Sequence, residues 1–128
     1  MALILNIETS TKTCSVNLSE NGKSVGINEI TSEKYVHGEK LHLLIKDLFK
    51  SLNLSLKQLN AVGISAGPGS FTGLRIGVAT AKGLAFGLDI PLISMNSLEI
   101  MMNCYESFSN NKKALFFPMI DAKRKEVY

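Results

Sequence analysis

The 128-residue sequence has no tryptophan, three prolines and two cysteines. It also lacks any uninterrupted apolar run near the ~18 residues a membrane-spanning helix needs, so no span is expected. Cys14 and Cys104 stand far apart without a C-x-x-C spacing. That pattern points to neither a zinc site nor a disulfide framework, and it fits a reducing cytoplasm. The opening "MALILNIETS" has no basic flank and runs into an acid, unlike a secretory signal. Excess charge is also missing: 14 basic against 11 acidic residues give a formal +3. This is too mild for a dedicated nucleic-acid binder, so RNA contact would come through a local patch or a partner. The run Lys123-Arg124-Lys125 reads as a solvated turn or as a phosphate contact.

The catalytic inventory is equally thin. No Ser-His-Asp set, Cys-His pair or pair of carboxylates stands at an interpretable spacing, and no catalytic residue is assigned. His37 and His42 are five apart, off the i, i+4 spacing that puts two ligands on one helical face, and no metal ligand is assigned.

What is present is the material of a globular domain, 45% hydrophobic and 20% charged. "LILNI" (3–7) reads as a strand buried on both faces. "TCSVNLS" (13–19) alternates, and "SVGINEI" (24–30) follows across Asn21-Gly22, the strongest short hairpin signal. From His37, Leu41, Leu44, Ile45, Leu48, Phe49 and Leu52 recur at helical spacing with Lys40, Lys46, Asp47 and Lys50 between them. A strand "AVGIS", a helix over 72–88, a strand "PLISM" and a helix opened by an Asn96/Glu99 capping box come next. After the polar break "SNNKK", "ALFFPMI" reads as a final strand.

Three antiparallel strands feeding βαβ units predict a ribonuclease-H-like α/β fold, one actin-like ATPase (ASKHA) lobe with a mixed five-stranded sheet and helices on both faces. "LILNIETSTKTCSV" and "LFFPMIDAKRKEVY" each pass from an apolar strand through an acid, Glu8 or Asp121, into a polar turn and a second strand. This trace of duplication predicts one lobe over 1–110 and the first strand and turn of a second, truncated lobe over 111–128.

Two places could hold phosphate. Glu8, Thr9 and Ser10 gather a carboxylate and hydroxyls at the carboxyl edge of the sheet, where open α/β sheets bind ligands. Alternatively, those hydroxyls satisfy the backbone of a turn. "GPGSFTG" offers backbone N–H groups at a helix start but has no P-loop Lys-Ser or Lys-Thr. Gly73, Gly77 and Ala81 lie four apart on one stripe, while Ile76, Gly83 and Gly87 flank another. A small-residue stripe admits close packing inside the chain or a partner's backbone. On the partner reading, Gly77→Leu weakens association more than folding.

Together "NIETST", "GPGSFTGLRIGVATAKGLAFG", "SMNSLE" and "DAKRKEVY" resemble the TsaB (YeaZ) family, in that family's order and over the whole chain. The resemblance implies a two-lobed actin-like protein acting as a noncatalytic scaffold for its paralogue TsaD. TsaD transfers a threonylcarbamoyl group, made from threonine, bicarbonate and ATP, to adenosine 37 of tRNA, and TsaE is the ATPase that joins them. The implied partners are therefore TsaD and TsaE, with tRNA reached through the complex, and a second copy of the chain when TsaD is absent. ATP is used by the complex, with no cofactor held by this chain alone. Glu8 stands where the family usually has Asp, and with Thr9, Ser10 and Asp121 it would form a vestigial phosphate site. Ser97 and Met101 stand where TsaD carries a His-x-x-x-His metal motif.

The resemblance also places the partner interface on the first two helices. The implied contacts are Leu41, Leu44, Ile45 and Leu48 in one, and Gly73, Arg75, Ile76, Gly77, Thr80 and Ala81 in the other. Leu43, Val78, Ala85 and Phe86 add apolar side chains in further directions, as partner surfaces do. The rival reading, from the Glu8 and Asp121 turns, is a self-sufficient ATP-dependent phosphotransferase of the actin-like and sugar-kinase superfamily.

Overall fold

A computed structural model of the chain describes residues 1–33, 36–106 and 115–128. The alternating segments become β1 (Leu3–Glu8), β2 (Thr13–Glu20) and β3 (Lys23–Thr31), joined in antiparallel fashion. Asn21 and Gly22 make the β2–β3 turn with φ of 50° and 78°, the left-handed pair such a two-residue loop demands. Next come α1 (His37–Ser51), a short 3-10 turn, β4 (Ala61–Ser65), α2 (Phe71–Leu88), β5 (Leu92–Met95) and α3 (Ser97–Glu106). β4 and β5 add in parallel, and the sheet runs β3-β2-β1-β4-β5. This is the mixed five-stranded sheet expected.

One face of the sheet carries the core. Leu5, Ile7, Val16, Leu18, Val62 and Ile64 are buried there with Leu41, Ile45, Leu48 and Phe49 of α1 and Ala81 and Ala85 of α2. α2 starts at Ser70, whose hydroxyl accepts the Gly73 N–H at 3.2 Å, and ends at Asp89 in the left-handed conformation. The other face is polar: Asn6 Nδ2 donates to Asn17 Oδ1 and Ser19 Oγ at 3.3 and 3.0 Å. The Asn6 side chain lies over Gly63, where a Cβ would come within 2.6 Å of its Oδ1. Along β1, buried residues therefore alternate with half-buried ones, correcting the expectation of a strand buried on both faces. The neighbouring α3 begins at Asn96, whose Oδ1 accepts the Leu98 and Glu99 N–H groups.

At the sheet's edge, β3 carries a bulge. Leu18 faces Gly26 and Ser19 faces Ser24, which leaves Val25 as an extra residue.

The final strand expected over 114–120 does not form across 115–120; residue 114 lies outside the described residues. Instead β6 (Asp121–Lys123) and β7 (Glu126–Val127) make a separate two-stranded hairpin, extended by Ile120 and Tyr128 bonding each other's backbone. An apolar segment becomes a strand only where a neighbour takes its backbone groups, and here pairing begins at Ile120.

Neither cysteine is in a disulfide; Cys14 is fully buried and Cys104 exposed. Burial pushes the Cys14 thiol from 9.0 up to about 11. Between those values the folded chain keeps a proton that the unfolded chain has lost. Stability from this group is thus complete below pH 9.0 and declines as pH rises towards about 11. A thiol reagent at mildly alkaline pH should modify Cys104 in the native protein and reach Cys14 only after denaturation. Native modification of both at the same rate would contradict this burial.

Candidate functional site

The β1–β2 turn sits at the carboxyl end of the sheet, beside the loop leading into α2. Glu8 ends β1, and its Oε1 accepts the Ser10 N–H and the Ser65 hydroxyl, both at 2.7 Å. The carboxylate therefore links its own turn to the end of β4. Thr9 and Ser10 are buried. Ser70 donates its N–H to the Ser10 carbonyl at 2.6 Å, and Gly69 lies so close that a Cβ would meet that same oxygen at 2.5 Å. Gly67, at φ 108°, gives the loop the backbone reversal that a side chain would resist.

α2 then passes directly over the turn. A Cβ on Gly73 would come within 2.1 Å of the Thr9 carbonyl oxygen, and one on Gly77 within 2.1 Å of Thr9 Oγ1. Two glycines one turn apart thus let the helix backbone rest on Thr9. This accounts for the stripe Gly73, Gly77 and Ala81, which is buried inside the chain.

That placement corrects two groups of expected site residues. The phosphate reading needs open donors, yet the Ser10 N–H is taken by Glu8 and the Gly73 N–H by Ser70, while Thr9 is covered by α2. Asp121 lies in the terminal hairpin, where its Oδ1 accepts the Lys123 N–H at 2.8 Å and its Oδ2 pairs with Lys123 Nζ at 3.2 Å. The backbone bond first, then the side-chain bond and charge of Lys123, hold its carboxyl below the usual range. Nothing among the described residues brings Asp121 to Glu8. The four residues are not gathered into one phosphate site.

The expected interface residues also divide. Leu41, Leu48, Gly73, Gly77 and Ala81 face the chain's own core and present nothing to a partner, while Ile45 is packed into that core and shows only an edge, in the groove between the two helices. Leu44, Ile76 and Thr80 are half-buried, and Arg75 is exposed with its guanidinium 5.2 Å over the Phe71 ring. Of the further apolar residues, Ala85 is buried and Val78 half-buried, while Leu43 is 49% and Phe86 91% exposed.

The open surface lies on the outer side of these helices. A groove between α1 and α2 has Ile45, Phe49 and Leu84 in its lining and Gly83 at its edge. Among the described residues a Cβ on Gly83 or Gly87 would meet nothing within 4 Å, so no packing against them explains either glycine. The sequence shows both glycine stripes at the same spacing, so periodicity alone could not tell the inward one from the outward one. Phe71 was the missed residue: it is 73% exposed at the first position of α2, one residue before the expected start.

A family model described as TsaD: tRNA N6-adenosine threonylcarbamoyltransferase matches residues 27–128. The chain is similar to the tRNA threonylcarbamoyladenosine biosynthesis protein TsaB of Haemophilus influenzae, with 36% identity over 98% of this chain and 51% of that protein. The TsaB of Escherichia coli K12 is 34% identical over 98% of this chain and 52% of its own length. Among solved structures, YeaZ from Pseudomonas aeruginosa superposes with a TM-score of 0.74 and 30% identity, covering 84% of this chain and 49% of that one. The chain spans about half the length of the curated relatives it matches.

Proposed function

This chain belongs to the family described by the TsaD model, with the TsaB (YeaZ) proteins of tRNA threonylcarbamoyladenosine biosynthesis and their actin-like fold, and on that premise we propose that it is a noncatalytic scaffold. It docks onto the TsaD paralogue, the outer surface of α1 and α2 making the contact, while adenosine 37 of tRNA is threonylcarbamoylated. Completed by a second lobe beyond Tyr128, it would reach TsaE and tRNA only through that complex.

The observation that carries this reading is the exposure of Phe86 and Phe71 on α2 and of Leu43 on α1, the two helices between which the groove lies. Large apolar side chains grouped on a surface mark a contact with another protein, and buried aromatics supply much of the energy of such contacts. The position that aligns with a metal ligand in TsaD supports the noncatalytic part. Ser97 is buried, and its N–H is bonded to the Gly67 carbonyl at 2.8 Å, which fixes it at the helix start. Met101, one turn on, brings a soft thioether to which hard cations bind poorly. The phosphotransferase reading loses its main support where Thr9 is covered and Glu8 is bonded to Ser10 and Ser65.

The test is titration calorimetry of the natural full-length protein with TsaD from the same organism, backed by size-exclusion chromatography. The expected result is a saturable complex that Phe86→Glu weakens by about tenfold or more, with the thermal midpoint of the exposed-site variant nearly unchanged. No complex with the unsubstituted protein would overturn the scaffold reading. Saturable binding of Mg-ATP by the protein alone would favour the phosphotransferase.

A further inference from the structure

The groove between α1 and α2 has a sign as well as a shape. His42, Lys46 and Lys50 are spaced four residues apart, form one line along α1 and border the groove. α2 carries Arg75 and Lys82 on a neighbouring surface outside the groove and has no acid from Phe71 to Leu88. Among the described residues, no Asp or Glu lines the groove or the adjoining α2 surface. The acids of this region stand away from it: Glu39 and Asp47 are exposed elsewhere on α1, and Asp89 follows the end of α2. A chain of nearly balanced charge therefore borders this largely apolar groove with basic side chains and, among the described residues, with no acid.

We propose that this groove receives a partner helix with an apolar ridge and acidic flanks, and that its cations work against pairing with a second copy of the chain. The proposal rests on the docking reading above and specifies the chemistry of the occupant. Ile45, Phe49 and Leu84 supply the apolar floor. Gly83, in the groove's lining, leaves space for the ridge to approach the α2 backbone closely. Acids spaced four apart on the incoming helix would align with His42, Lys46 and Lys50, because both helices repeat at the same interval. A nucleic acid would satisfy the cations but would leave the apolar floor and the exposed Phe86 without a counterpart. A second copy meeting this face through a twofold axis would set the basic line of His42, Lys46 and Lys50 against an identical basic face, which is repulsive between the lysines until salt screens it.

The two associations should therefore respond to salt in opposite directions. Calorimetry of the full-length protein with TsaD, from about 50 mM to about 500 mM NaCl, is expected to show the Kd weakening several-fold. Sedimentation of the protein alone should show any self-association strengthening over the same range. The exposed double variant Lys46→Glu, Lys50→Glu should weaken TsaD binding by about tenfold or more, and Lys46→Arg, Lys50→Arg should restore it. TsaD binding that ignores both salt and charge reversal overturns this proposal and leaves the docking reading standing. No TsaD binding by the unsubstituted protein overturns both. Loss of tRNA binding on charge reversal, with TsaD binding unaltered, assigns the cations to nucleic acid and also overturns the proposal.

Discussion

Gly73→Ala is expected to destabilise the chain strongly, whereas Gly83→Ala, on the same helix, should make it more stable. At Gly73 the new Cβ would lie 2.1 Å from the Thr9 carbonyl oxygen, a backbone atom that no rotamer change can move aside. Relief requires α2 to lift off the sheet, separating Ala81 and Ala85 from the core they pack against. Overpacking of this kind costs about 3 kcal/mol or more, a large part of a domain's total stability. The thermal midpoint should fall by about 10 °C or more. At Gly83 there is nothing within 4 Å, so alanine gains about 0.5–1 kcal/mol from helix propensity alone. Chemical denaturation of the two variants beside the parent measures both signs. Equal stability in the two variants would contradict the inward and outward assignment of the stripes. Gly77→Leu belongs with Gly73→Ala: its Cβ meets Thr9 Oγ1 and Ile64, so folding fails before association can be compared. This reverses the order expected from the partner reading of that stripe.

Glu8→Ala should cost about 2–3 kcal/mol. It removes the carboxylate oxygen that accepts both the Ser10 N–H and the Ser65 hydroxyl, and Ser10 and Ser65 are buried. Two donors lose a charged acceptor in a place water reaches poorly, and hydrogen bonds to charged groups are the expensive ones to break. Glu8→Gln keeps an oxygen able to take the same position and should lose about 1 kcal/mol. Glu8→Asp, one methylene shorter, should fall between them because it cannot hold both donors from the same backbone position. Urea unfolding with unchanged slope would read these differences as stability. An alanine variant as stable as the parent would show that the link between β1 and β4 is unimportant.

The elements of the fold were legible because their signals are local. The Asn21-Gly22 turn, the alternation of β2 and the helical spacing from Leu41 to Leu48 place β1 through α3 to within a residue or two of their observed ends. The failures share a cause: each depended on which neighbour an element meets. Gly73-Gly77 and Gly83-Gly87 have the same four-residue spacing along the helix, and only the approach to Thr9 distinguishes them. Leu41 and Leu48 are apolar for the core, and their type alone could not show that they are unavailable to a partner. The Glu8 turn has the residue types of a phosphate site, but the Ser65 hydroxyl that engages it comes from 57 residues away. Similarly, the apolar residues at 115–120 carry the composition of a strand, yet among the described residues their backbone pairing begins only at Ile120.

The extra residue in β3 bears on how the protein behaves when it is crowded. An edge strand of nine residues with Val25 and Ile27 exposed would otherwise offer evenly spaced N–H and C=O groups on which another chain could stack, the first step of a fibril. The misregister between Leu18 and Ser19 puts Val25 out of step and breaks that spacing at the third residue of the edge. An edge interrupted in this way keeps encounters between sheets short and unproductive, so the bulge guards colloidal solubility at the high local concentrations reached during synthesis.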